Sequence, residues 1–296
     1  MKHLWINASD GFKIAAAVFE HENPKALVQI IHGSVEHKER YYDFAEFLNV
    51  HGYAVILSDN RGHGESVDSV YTLGYMDSYE QIIDDNFQVN RHICKMYPDK
   101  DLYLFGHSLG SVFARCYLEK HDDSIAKLAI SGTVEYNILT PLGILLTKIA
   151  IAISGKRAYN SFLRYFIMNG KDVSWISYNK KNIRQYKADP LCGFAYPNES
   201  VLTVMEAVRE LKESKHYQCK NPDLPILSIT GAEDPVTGGE AGLERSFRML
   251  EKCGYKNLEK IVFPHMKHEV LNETNHTIVY QAILNFWDDN LHNRDH

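Results

Sequence analysis

Ser108 stands at the centre of Gly106-His107-Ser108-Leu109-Gly110, directly after the apolar run Leu102 to Phe105. A strand stopping at Gly106 and a helix entering after Gly110 would hold Ser108 on a sharp, strained turn. The hydroxyl would then project at the carboxyl edge of a sheet, where a helix begins and where it can attack a carbonyl carbon. Glycines are needed on both sides because side chains there would collide with the neighbouring strand and helix. A serine hydroxyl is a weak nucleophile until a base takes its proton, and that base must itself be oriented by an acid. Glu233 and Asp234 lie in the loop leaving an expected strand, Pro225 to Thr230, and both are candidate acids. The shorter Asp234, before Pro235, would be held more rigidly and suits the orienting role better. His265 and His268 follow a second expected strand, Leu258 to Phe263. His265 is nearer the strand end, and His268 sits beside Glu269 where the last helix is expected to start. Spacing leaves the choice of base open.

A negative charge developing on the attacked carbonyl oxygen needs donors. Ala26 to Ile31 is a continuous apolar run, so Ser34 falls in the loop just past an inner strand. The backbone N–H groups of Ser34 and Leu109 are therefore the candidate oxyanion donors. Removing one such donor typically costs about 10²–10³ in turnover. His32 and Gly33 read as the tight turn that seats this loop. Asp59 to Ser66, after the apolar strand Tyr53 to Ser58, reads as a structural loop. Its Asp59 and Arg61 are expected to tie it to neighbouring backbone, with His63 held between two glycines and taking no part in catalysis.

Four stretches resemble one family, in this order and each after an expected strand. They are His32-Gly33-Ser34-Val35-Glu36-His37, Asp59 to Ser66, the elbow Gly106 to Gly110, and His268-Glu269-Val270-Leu271-Asn272-Glu273. Together they are similar to the monoacylglycerol lipase/lysophospholipase group of α/β-hydrolases, which groups by sequence with the serine aminopeptidases. The chain order Ser, Asp, His is the α/β-hydrolase order. The resemblance makes the base the histidine followed by Glu, which is His268. It also implies a cofactor-free hydrolysis of carboxylic esters through an acyl-enzyme on Ser108. The implied substrates are monoacylglycerols, lysophospholipids or similar acyl esters. Val35 departs from the pattern, because relatives usually carry a second glycine there, and its branched side chain would narrow the acyl pocket. Two other hydrolase readings stay open, a short-chain carboxylesterase and an aminopeptidase. The latter would need an acidic subsite for an amino group, for which Glu135, Glu199 or Glu206 are candidates. A dehalogenase would carry Asp at the elbow, and a non-catalytic relative would have lost one of the three partners.

The elements must form a frame that brings these loops together. Strands are expected at 3–7, 12–20, 26–31, 53–58, 101–105, 126–131, 225–230 and 258–263. Helices are expected near 40–51, 78–97, 109–121, 241–253 and 274–290. An antiparallel start followed by alternating strand and helix gives an α/β-hydrolase fold, a mostly parallel eight-stranded sheet with helices on both faces. At 296 residues and 45% hydrophobic, the chain suits one such core, 1–132 and 222–296, with an insertion at 133–221. That insertion lacks a convincing strand and is rich in aromatics, including Phe162, Tyr165, Phe166, Trp175, Tyr178 and Tyr186, so it reads as a helical cap. Ile138 to Ile153 is its most apolar stretch, interrupted by Pro141, Gly143 and Lys148 and too short to span a membrane. It either packs on the core or forms an apolar wall that admits an acyl chain or touches a lipid surface transiently.

A net charge of −6 without a basic block argues against nucleic-acid binding. Five scattered cysteines without Cys-x-x-Cys suggest reduced thiols in a cytoplasm. The fifteen histidines lack metal-ligand spacing, so no metal is expected. Met1 to Asp10 has no apolar core of signal-peptide length.

Overall fold

The strands fall within two residues of their expected limits: β1 (Lys2–Asn7), β2 (Lys13–Phe19), β3 (Ala26–Ile31), β4 (Tyr53–Ser58), β5 (Leu102–His107), β6 (Lys127–Ser131), β7 (Ile226–Gly231) and β8 (Leu258–Phe263). They form one sheet in the order β1-β2-β4-β3-β5-β6-β7-β8. β1 pairs antiparallel with β2, and β2 with β4. From β4 onward every pairing is parallel. The computed structural model describes residues 1–163 and 172–289, so Tyr165, Phe166 and the end of the expected last helix lie outside the described residues.

Periodicity decides which face each inner side chain serves. In β3, Leu27 and Ile31 enter one core while Ala26, Val28 and Ile30 enter the other. In β5, Leu102 and Leu104 oppose Tyr103 and Phe105 in the same way. Both faces are dry, which is why these strands read as unbroken apolar runs.

Helices cover both faces: α1 (Tyr42–Val50), α2 (Tyr79–Met96), α3 (Leu109–His121), α4 (Thr140–Ser154), α5 (Lys180–Ala188), α6 (Asn198–Glu210), α7 (Gly239–Cys253) and α8 (His276–Asp288). Trp287 of α8 packs with Phe44, Tyr53 and Tyr103 in one core. The other core joins α2 and α3 to Val201, Val204, Met205 and Ala207 of α6. The segment 133–221 carries helices and no strand among its described residues. Its last helix, α6, packs into this core as the crossover from β6 to β7.

Three local expectations need correction. β5 continues through Gly106 to His107 instead of stopping at the glycine. His268 does not start the last helix, which begins at His276. The Glu273 carboxylate accepts the N–H groups of Lys267 (3.0 Å) and Tyr178 (2.9 Å), and this holds residues 264–269 in a loop. Asp59 does bind backbone, accepting from Lys38 and Glu65 N–H. Arg61 instead makes a two-pronged pair with Asp85 (2.9 Å each) and reaches Asp10.

Candidate active site

The turn from β5 into α3 has the strain that its sequence implies. Ser108 has φ 52°, a left-handed value that costs a non-glycine residue about 1–3 kcal/mol. Close approach explains the glycines. A Cβ on Gly106 would strike the Gly110 carbonyl, and one on Gly110 would strike the carbonyls of Ile31 and His32.

His268 Nε2 lies 2.8 Å from Ser108 Oγ, and its Nδ1 lies 3.0 Å from Asp234 Oδ2. A carboxylate only accepts, so Nδ1 carries the proton and Nε2 offers its lone pair to the serine hydroxyl. Asp234 is fixed in turn by the Val236 N–H (2.8 Å) and by Thr230 Oγ1 (3.3 Å). Burial raises the Asp234 carboxyl, but the charge and hydrogen bond of His268 outweigh this and leave it below its ordinary value. Burial likewise depresses His268, and Asp234 more than offsets that, leaving the imidazole above its usual 6.5. The competing residues are elsewhere. His265 is almost wholly exposed and faces Glu233, which accepts from the Tyr178 hydroxyl.

His268 is boxed in by groups that sequence reasoning did not single out for this role. Its ring sits 5.0 Å from that of Trp175 and 4.8 Å from that of His107. A Cβ on Gly132 would come within 2.7 Å of its Cε1, so only glycine leaves room there. Burial lowers His107 to about 4, which keeps it neutral, and its Nδ1 meets Ser131 Oγ at 2.8 Å.

The loop after β3 lies against the elbow, with the Gly33 Cα face directed at Ser108. His32 Nε2 accepts the Asn60 N–H at 2.9 Å, while Gly33 N–H donates to Glu36 at 2.6 Å. Tyr196 OH takes hydrogen bonds from Ser34 Oγ and Val35 N–H, both at 3.1 Å. Arg40 then joins this loop to the histidine loop. It pairs with Glu36 and, through two contacts of 2.7 Å, with Glu269 next to His268. Burial raises the Glu269 carboxyl, and Arg40 overrides it, so the group is held charged. In sequence, Glu36 and Glu269 stand out only as parts of the resembling stretches, and Arg40 looks like a solvated charge. The single clue was the spacing of Glu36 and Arg40, four residues apart.

Ser108, His107 and His268 form the floor of a cavity of about 330 Å³. Its walls are largely apolar, with Leu139, Ile176, Val204, Met205 and Val208 among them. Such a cavity, apolar with a few convergent polar groups, suits a small organic ligand. All five cysteines are free. Among the described residues no helix is long and apolar enough to cross a membrane.

The chain matches the serine aminopeptidase S33 family over residues 22–275. It belongs to that family. Within it, the monoacylglycerol lipase of Mycolicibacterium smegmatis is 21% identical over 269 residues, covering 89% of this chain and 88% of the relative. The monoglyceride lipase of Mus musculus is 25% identical, covering 89% and 82%. A thermostable carboxyl esterase from Bacillus coagulans superposes with a TM-score of 0.86 at 22% identity, covering 98% of both chains. The S33 chain described here therefore has the α/β-hydrolase fold expected from its motifs.

Proposed function

We propose that this S33 chain hydrolyses carboxylic esters, monoacylglycerols foremost, through an acyl-enzyme on Ser108. The observation that carries the reading is the hydrogen-bonded line Asp234–His268–Ser108 opening into an apolar cavity. His268 Nε2 takes the hydroxyl proton as Ser108 Oγ bonds to the ester carbonyl carbon, and Asp234 stabilises the imidazolium. The tetrahedral intermediate collapses as His268 gives that proton to the departing alcohol. Water then repeats the sequence and frees the acid. The N–H groups of Ser34 and Leu109 receive the oxyanion. Val35 N–H is engaged by Tyr196, whereas Ser34 N–H has no acceptor among the described residues. The helices between β6 and the crossover helix α6 act as the cap that shapes the acyl site. The free thiols fit a reducing, cytoplasmic setting.

The peptidase alternative needs an unpaired acid in the cavity. Glu135 pairs with Arg245, Glu199 with Lys156 and Glu206 with Lys148. Of the three only Glu135 lines the cavity, and its charge is already answered. The testing experiment is fluorophosphonate labelling together with hydrolysis of a monoacylglycerol series and an aminoacyl arylamide. Ser108→Ala and His268→Ala should each lose several orders of magnitude and, for Ser108→Ala, all labelling. Asp234→Asn should cost far more than Glu233→Gln, and His265→Ala about tenfold at most. Retained turnover in Ser108→Ala, or arylamides cleaved in preference to esters, would overturn the reading.

A further inference from the structure

Where α3 ends beside the end of α6, two carboxylates and an imidazole converge. Glu119, Glu210 and His216 each bring one ligand atom within 4.8 Å of the other two. Glu119 belongs to α3, Glu210 is the last residue of α6, and His216 closes the short turn Ser214–His216. None of them lines the cavity at Ser108, and ester hydrolysis has no use for them.

The cluster is short of positive charge. Glu119 and Glu210 are both buried, at 8% and 3% exposure. Glu210 has partial compensation from His216 Nδ1 at 2.6 Å and from Arg209 at 3.2 Å. Glu119 has less. Its Oε1 is sealed from solvent and has no hydrogen-bond partner among the described residues. A buried acceptor left without a partner is costly, so such atoms in folded proteins usually meet a donor, a water or an ion.

We propose that Glu119, Glu210 and His216 bind one divalent transition-metal ion, zinc by preference. Zinc takes both imidazole nitrogen and carboxylate oxygen as ligands, and a three-residue site leaves a fourth position for water. Calcium wants six to eight oxygens and magnesium a near-octahedral oxygen shell, and the imidazole suits neither. Zinc holds its ligands at roughly 2.0–2.2 Å, so the three ligand atoms, now within 4.8 Å of one another, would have to draw in around it. His216, whose side chain is 43% exposed, gives the ion its route in. The bound ion would fasten α3 to the end of the crossover helix, so its effect is on stability and not on the reaction.

A second cluster, His37, Asp189 and Cys192, has similar proximity. Its members already satisfy one another, with His37 Nε2 2.8 Å from Asp189 and the Cys192 thiol bonded to the same carboxylate. It therefore serves as the control.

The experiment is calorimetric titration of zinc chloride into the chelator-stripped full chain, paired with thermal unfolding. One equivalent should bind with a micromolar or tighter constant, and saturating zinc should raise the Tm by several degrees. Glu119→Gln and His216→Ala should each weaken binding at least about tenfold, with hydrolytic activity retained. His37→Ala should leave the affinity unchanged. His216 is half-exposed, so its loss should leave the fold intact, and cobalt substitution should give a visible absorption band that His216→Ala removes. Absence of binding by the wild type at 100 Kd-equivalents of a micromolar site, about 0.1 mM zinc, would overturn the proposal. So would binding that Glu119→Gln and His216→Ala leave intact, or that His37→Ala abolishes.

Discussion

Ser108 and Val35 both hold left-handed backbone, at φ 52° and 48°. At Ser108 the strain thrusts the hydroxyl out of the sheet. At Val35 it falls on a β-branched residue, for which such a φ is an outlier. In sequence, Val35 stands out only because the resemblance implies a glycine there, and its positive φ explains why glycine would suit the position. The Gly193 N–H on Val35 O (2.9 Å) and Tyr196 on its N–H hold the loop against that strain. His268 gives the residue-scale prediction. As its imidazole titrates above 6.5, it stays protonated until pH passes that raised value, so with His268 as the proposed base, kcat/KM should rise with pH through it. Stability runs the other way. The contribution of the raised His268 imidazole is fully present below its unfolded value near 6.5 and is lost as pH rises through the folded one. A pH profile of kcat/KM beside urea midpoints at matched pH would check both. An acid limb at or below 6.5 would contradict the pairing.

At the scale of elements, α4 separates apolar content from burial. Leu142, Leu145, Ile149 and Ile153 are exposed, while the buried positions are Thr140, Gly143, Ile144 and Thr147. Its outer face is apolar, and the cavity wall comes instead from Leu139, Thr140 and the α6 residues Val204, Met205 and Val208. Leu139→Asp and Val208→Asp should therefore lower kcat/KM for soluble long-chain esters more than for acetates. Each methylene left without its apolar wall costs about 0.8 kcal/mol, roughly fourfold. Leu145→Asp and Ile149→Asp should leave that ratio unchanged, and kinetics on a chain-length series would show it. Equal falls for both substrate lengths in Leu139→Asp and Val208→Asp would remove α6 from the acyl site. The strands were legible because β3 to β7 are buried on both faces and their apolar runs have no helical competitor. The loop position of His268 was not, because the Glu273 side chain takes the Lys267 N–H ahead of the helix that starts at His276. The links Glu36–Arg40–Glu269 and Glu119–Glu210–His216 were also hidden. Each joins charges from separate segments, and only the folded chain makes them neighbours.

Across the whole molecule, the groups proposed to react come from three widely spaced parts of one chain. Ser108 and His268 are 160 positions apart, and His268 and Asp234 are 34 apart. Ser108, the proposed nucleophile, is set by β5 and α3 alone, but His268 reaches it only after β7 and β8 have added to the sheet beside β6. Contacts of such sequence separation form slowly, because loop closure must be met before they repay it. Chemical competence should therefore be the last property acquired during refolding. After dilution from urea, helical circular dichroism should recover first, with fluorophosphonate reactivity and ester turnover lagging behind it. Simultaneous recovery of both signals would show instead that the sheet closes in one step. With the lag, a half-folded chain holds its serine without a base, and so cannot cleave the esters around it before folding is complete.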